Sequence, residues 1–258
     1  MYRNPVAITT ERHGRKRLRS AGGFGFAAAW AAAPIYLPEM MLAAADFPIG
    51  FTQEADGLVP TAVLGLAAGR NLFVAPDGQW IGNYVPASLR RYPFILGRSQ
   101  NHAELVLCID EGSGLLSDTA GDPLFDADLK PTEIVTKALK FCTDLEAAHR
   151  ATLAATAALA DAGLIHPWPL KIQSEGGNSQ AVEGLYRMEL SELNELAGDR
   201  FLALRDKGAL TIAYAHLMSL SNLRGLSRLA TRMAPPPPPP PPATPQGEVP
   251  LQDLVFRF

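Results

Sequence analysis

Cysteine is nearly absent from this 258-residue chain: Cys108 and Cys142 are the only two. Two thiols cannot complete a zinc site, and neither lies in a Cys-x-x-Cys pair, so a thiolate metal centre and a dithiol redox motif are excluded. A reducing compartment is expected, with one Cys108 to Cys142 disulfide as the alternative. Cys108 falls in the apolar run 105–109 and suits a core position, a common place for free cysteine. Charge is also sparse. Asp, Glu, Lys and Arg make up 19% of the chain, and 23 basic residues against 26 acidic ones leave a formal charge of −3. That balance provides no broad electropositive field, so nucleic acid is not an expected partner. No window approaches the run of about 18 apolar residues that a membrane-spanning helix needs, so no integral membrane segment is expected.

The motifs of familiar chemistry are missing too. There is no phosphate-cradling Gly-x-x-x-x-Gly-Lys, no Gly-x-Ser-x-Gly elbow, no His-Glu-x-x-His and no glycine fingerprint at a strand-to-helix turn. The five histidines stand scattered at 13, 102, 149, 166 and 216. His216, set between Ala215 and Leu217, reads as a satisfied core histidine. Asp110 and Glu111 are adjacent, and on a strand adjacent side chains point to opposite faces, so they form no acid/base couple. No catalytic residue, cofactor or metal ligand is expected on these grounds.

What is present is apolar material, 47% of the chain, enough for a core that needs no disulfide or metal to support it. Proline looks abundant at 22 residues, but ten of these lie in 234–258, eight of them as the unbroken run 235–242. Polyproline II rises about 3.1 Å per residue without internal hydrogen bonds, so that run is a stiff spacer of roughly 25 Å. The apolar string VPLQDLVFRF follows it. This tail is expected to act as a spacer or to dock a partner through an aromatic-lined groove. At the other end, Arg12, Arg15, Lys16, Arg17 and Arg19 precede AGGFGFAAAWAAAP, which imitates a secretory signal. Its apolar part lacks Leu, Ile and Val, so the expectation is an exposed basic arm over 1–23 on a cytoplasmic protein, with export as the alternative. Three units result: the arm 1–23, a single body 24–233 and the tail 234–258.

Within the body, Met40, Met41, Ala44 and Phe47 follow Pro38 at helical spacing, and Pro48 ends that helix. Short apolar runs punctuated by turn residues fill 49–98 and predict strands. Asp77-Gly78 between NLFV and QWIGNYV predicts a hairpin, because glycine accepts the positive φ of a tight turn. Residues 86–91 suit one helical turn, and 103–110 a buried strand. The spacing from Pro131 to Gly163 predicts the longest helix. A second hairpin is expected from 168–173 and 180–188 around the loop 174–179. Helices follow near Leu190 and Phe201, and a third over 209–233 carries Arg224, Arg228 and Arg232 on one side. The fold class is therefore α+β, with small antiparallel sheets or hairpins packed against a long helix and a C-terminal helical set.

The stretch 80–94 gathers Trp80, Tyr84, Arg90, Arg91, Tyr92 and Phe94, large flat surfaces beside forked donors. Such residues dominate binding hot spots, and arginine can grip a carboxylate with two bonds. They are the candidate binding residues, for a peptide or its carboxyl end; core scaffold is the competing reading of the same residues.

Several strings occur in an order that resembles the SapC family of bacterial proteins: FGFAAAW from Phe24, PIYLPEMMLAAADFPIGF from Pro34, GRNLFV from Gly69, GQWIGNYVPASLRRYPFIL from Gly78, DPLF from Asp122 and YAHLMSLSNLRGL from Tyr214. The proline tail lies outside this resemblance. The resemblance implies a non-catalytic accessory role connected with secretion of a surface protein or modification of a peptide. It supplies no catalytic residues, and the alternative is an enzyme acting on a small molecule or peptide.

Overall fold

A computed structural model of the chain describes residues 2–98, 104–173 and 179–233. The expected loop at 174–179, except for Ser179, lies outside the described residues, as do His102 and the tail 234–258. Along the chain run β1 (Pro5–Ala7), α1 (Thr10–His13), β2 (Arg17–Leu18), β3 (Ala32–Pro34), α2 (Met40–Asp46), β4 (Ile49–Glu54), β5 (Gly57–Val63), α3 (Ala87–Arg90), β6 (Phe94–Arg98) and β7 (Leu105–Asp110). There follow β8 (Leu116–Ser117), β9 (Asp122–Pro123), α4 (Glu133–Asp161), β10 (His166–Pro167), β11 (Leu170–Gln173), β12 (Ser179–Val182), β13 (Leu185–Arg187), α5 (Leu190–Asn194), α6 (Gly198–Asp206), α7 (Ala209–Ser219) and α8 (Leu223–Arg232).

The sheets are small and every pairing is antiparallel. A five-stranded sheet has the order β10-β13-β4-β5-β3, a three-stranded one β1-β7-β6, another β8-β2-β9, and β11 pairs with β12 alone. The fold is α+β, as the sequence pattern predicts. The long helix α4, about 44 Å at 1.5 Å per residue, links the packing. Its residues Val135 and Cys142 join a core with Leu18, Phe94 and Ile109. Leu145 packs with Tyr36 and Ala87. Ala155 and Leu159 enter the largest core, with Phe47, Phe51 and Ile212. Thr152 and Thr156 on the same side are fully buried. Thr152 Oγ1 donates to Ala148 O at 2.7 Å and accepts from Leu37 N at 2.9 Å, which ties the chain just before α2 to the long helix.

Several expectations are corrected. The described residues of the expected arm 1–23, from Tyr2 onward, are not free. β1 pairs with β7, placing Val6 opposite Ile109, and β2 lies between β8 and β9. The basic residues are used to hold this arrangement: Arg12 grips Glu111 with bonds of 2.6 and 2.7 Å, Lys16 meets Asp118 at 2.7 Å, and Arg17 and Arg19 donate to the carbonyls of Gly121 and Gly114. At Asp77-Gly78 the turn forms, but only the single bridge Val74↔Trp80 connects its arms. Leu72, Phe73 and Val74 are buried one after another, and the amide of Phe73 donates to Asn71 Oδ1 at 2.9 Å, so a side chain takes the place of a strand partner in this run. The helix expected over 209–233 is broken. After α7 the chain tightens into a 3-10 turn at Leu220–Asn222 before α8. Ser219 Oγ donates to His216 O and accepts from Ile49 N, while Asn222 Nδ2 donates to the carbonyls of Ala44 and Phe47, so tertiary partners fix the bend. On α2 the buried side is Met40 and Ala43, and Met41 is 61% exposed. Cys108 and Cys142 are both free and buried, and burial pushes each thiol upward in pKa.

Candidate functional site

The helix α2 presents a carboxylate at each end, and both face the segment 80–87. At its start Glu39, only 5% exposed, accepts from Tyr36 N at 3.1 Å, from Tyr84 Oη at 2.8 Å and from Ala87 N at 2.8 Å. At its end Asp46 accepts from Asn83 Nδ2 and Tyr84 N, each at 2.8 Å. Trp80 Nε1 closes the loop by donating to Tyr84 O at 2.7 Å. Gly82 fits because a Cβ there would stand 2.8 Å from Trp80 Nε1 and 2.9 Å from Asp46 Oδ2. Burial raises the pKa of Glu39, opposed by its three hydrogen bonds. Burial, followed by the bond to Glu39, pushes the Tyr84 hydroxyl up to about 12, and burial alone does most of the same for Tyr36, also about 12.

Above this pin lies a cleft of about 400 Å³ between α2, α3 and α4, whose walls include Leu42, Tyr84, Phe141 and Leu145. Leu42 is 59% exposed on its lip. Arg90 extends along the opening. Its Nη2 donates to Tyr84 Oη at 3.1 Å and its Nε to Val85 O at 3.1 Å, and the guanidinium carbon lies 5.6 Å from the Tyr84 ring and 5.4 Å from the Phe141 ring. The exposed guanidinium is thus braced on two aromatic faces. Asp144, also on the cleft, is paired with Lys140 at 2.6 Å.

The six sequence candidates divide between surface and interior. Tyr84 and Arg90 meet on the cleft. Tyr92 stacks on Phe26 at 4.1 Å with 16° between planes, and its hydroxyl lies 3.4 Å from Asp110. Arg91 lies 5.9 Å above the Tyr2 ring, with its Nε buried and unpartnered, and so is turned away from Arg90. Trp80 packs against Phe24, Phe47 and Phe73. Phe94, 7% exposed, is a core residue of the second cluster and offers no contact surface. Sequence reasoning missed Glu39 and Asp46. The only signal is their position at the two ends of one apolar helical run, which by itself indicates capping.

These features describe an α+β protein with an apolar, arginine-lipped cleft and, among the described residues, no group of three or more His, Cys, Asp or Glu placed to hold a metal ion. Among the described residues no helix is long and apolar enough to cross a membrane. The family model SapC matches residues 8–226, so the chain belongs to the SapC family. No curated protein and no solved structure matches the chain.

Proposed function

We propose that this SapC-family chain is a non-catalytic accessory protein that engages a peptide or protein segment during secretion of a surface protein or modification of a peptide. The observation that carries this reading is Arg90, an exposed guanidinium braced over Tyr84 and Phe141 at the mouth of an apolar cleft. Such a site offers an apolar side chain a place to bury and a carboxylate a charge-assisted partner. Glu39 supports it in a structural role, since all three of its hydrogen bonds fasten neighbouring segments. A cytoplasmic location is part of the same proposal: cleavage near Ala33 would remove one of the two partners of β7 and the partner of β8 and β9.

The test is capture of the partner from native lysate by the full chain and by Arg90→Ala, with mass spectrometry of what is bound. Arg90→Ala is expected to lower capture about tenfold, the loss of one charge-assisted bond, at an unchanged thermal midpoint. Equal capture would count against the cleft. One observation favours a second reading, an enzyme with Glu39 as its acid or base: Glu39, Tyr84 and Tyr36 all line this cleft with raised pKa values. Glu39→Gln, which costs the pin one acceptor and is expected to lower the thermal midpoint, separates the two at a temperature where the variant stays folded: an enzyme loses all turnover, whereas a binding protein keeps capture that still depends on Arg90.

A further inference from the structure

The cleft does not stand alone. Arg90 also lines a second depression of about 360 Å³, walled by Ala21, Gly23, Phe26 and Tyr92. Ala21, Phe26 and Tyr92 in turn line a third, of about 260 Å³, that ends at Arg3 and Gly112. Shared walls therefore chain the three into one track, with the Phe26 and Tyr92 stack as the ridge between the second and third. The floor at 22–23 is backbone. A Cβ on Gly23, whose φ is +156°, would stand 2.6 Å from Gly78 O, so the loop sits close against its neighbour and leaves the depression open above it.

Charge along this track differs from that of the whole molecule. The chain carries a formal −3, yet the second and third depressions contain no carboxylate in their walls, and their charged members are Arg90 and Arg3. In the first, Glu39 is saturated by internal donors and Asp144 is neutralised by Lys140. Two guanidinium groups at separate points, with apolar and aromatic hollows around them, are complementary to a segment that alternates acidic and apolar side chains. An extended strand rises about 3.3 Å per residue and sends alternate side chains to one side, which suits a row of shallow hollows better than a helix does.

We infer that the three depressions form a single groove for an acidic peptide segment bound in extended form, with an apolar side chain in the α2/α4 cleft, a carboxylate on Arg90, an aromatic ring beside Phe26 and a second carboxylate at Arg3. This rests on the binding reading above and names the chemistry of its ligand.

The test uses the full isotope-labelled chain and a defined probe, the peptide acetyl-Leu-Gly-Asp-Gly-Phe-Gly-Glu-amide, its reversed-order counterpart, and versions with Asn and Gln replacing the acids. At low ionic strength the acidic probe in one of its two orders is expected to shift the amides of Gly22, Gly23, Gly112 and Ser113 together with that of Ala87. The uncharged probe should bind at least about tenfold more weakly, as expected when charge-assisted bonds are lost. Ala21→Trp, a change at an exposed position, fills the wall common to the second and third depressions and is expected to reduce affinity by a similar factor at an unchanged thermal midpoint. If Arg90→Ala weakens the probe while Ala21→Trp and the shifts at 22–23 and 112–113 are without effect, the ligand is confined to the cleft, so the binding reading stands and the groove is overturned. Absence of shifts with both orders at millimolar probe overturns the groove as well, and loss of partner capture by Arg90→Ala then decides the cleft by itself.

Discussion

His216 is fully buried, yet both ring nitrogens are satisfied: Nδ1 lies 2.7 Å from Ile49 O and Nε2 accepts from Met188 N at 3.0 Å. This fixes a neutral ring with its proton on Nδ1. Burial lowers the imidazole pKa below its ordinary 6.5, and His13, also buried, is lowered for the same first reason. The unfolded chain therefore takes up protons at ordinary histidine values that the folded chain resists. Stability is complete above that pH and declines as pH falls through it toward the folded values. Thermal melts from pH 7.5 to 5 should show this decline, and His216→Gln, which keeps one donor and one acceptor, should flatten part of it. Asp110 is a second such residue, holding the backbone amides of Arg3, Asn4 and Gly112 within 3.2 Å. Asp110→Ala is expected to cost about 1.5–3 kcal/mol in denaturant unfolding, the usual value of hydrogen bonds to a charged acceptor. The apolar neighbours of His216 announce its burial in the sequence. Its partners do not appear there, because Ile49 lies 167 positions away and no local pattern refers to it.

At the scale of elements, what the sequence revealed and what it hid follow the range of the interactions involved. The helix α4 was legible because 29 residues carry its periodicity, although the buried threonines, which look polar, are part of the seam. Leu159→Ala should destabilise by about 2–5 kcal/mol, measured by urea unfolding, since it empties a fully buried site in the largest core. The strands β1, β2, β8 and β9 were hidden because two or three residues have no period, and each exists only through a partner about a hundred positions away. Deleting residues 2–9 is expected to expose β7 on one edge, and hydrogen exchange at Ile109 and Glu111, whose amides face the deleted strand, should accelerate relative to β5. Likewise the break between α7 and α8 was hidden, since the leucine spacing continues through it while Ser219 and Asn222 respond to α2 and β4.

For the molecule as a whole, the family and the α+β class were readable from strings and periodicity, and the cleft was readable only in part. Tyr84 and Arg90 attracted notice as contact residue types, whereas Glu39, Leu42 and Phe141 reach the same place from separate elements by folding alone. The tail belongs to this scale too. Truncation after Met233 keeps the bond from Arg70 to the carbonyl of that residue and is expected to leave the thermal midpoint unchanged; a drop would place the residues after 233 in the packed body.

The pairing of β1 and β2 with segments near residues 110 and 120 also has a meaning in time. A ribosome adds about 5–20 residues per second, so the basic, alanine-rich beginning of the chain emerges roughly 5 to 20 s before the strands that enclose it. During that interval the nascent chain carries unpaired a segment that the finished protein holds in two sheets. Until β7, β8 and β9 arrive, β1 and β2 have nothing to pair with, so these two small sheets are among the non-local steps that slow the closing of the fold.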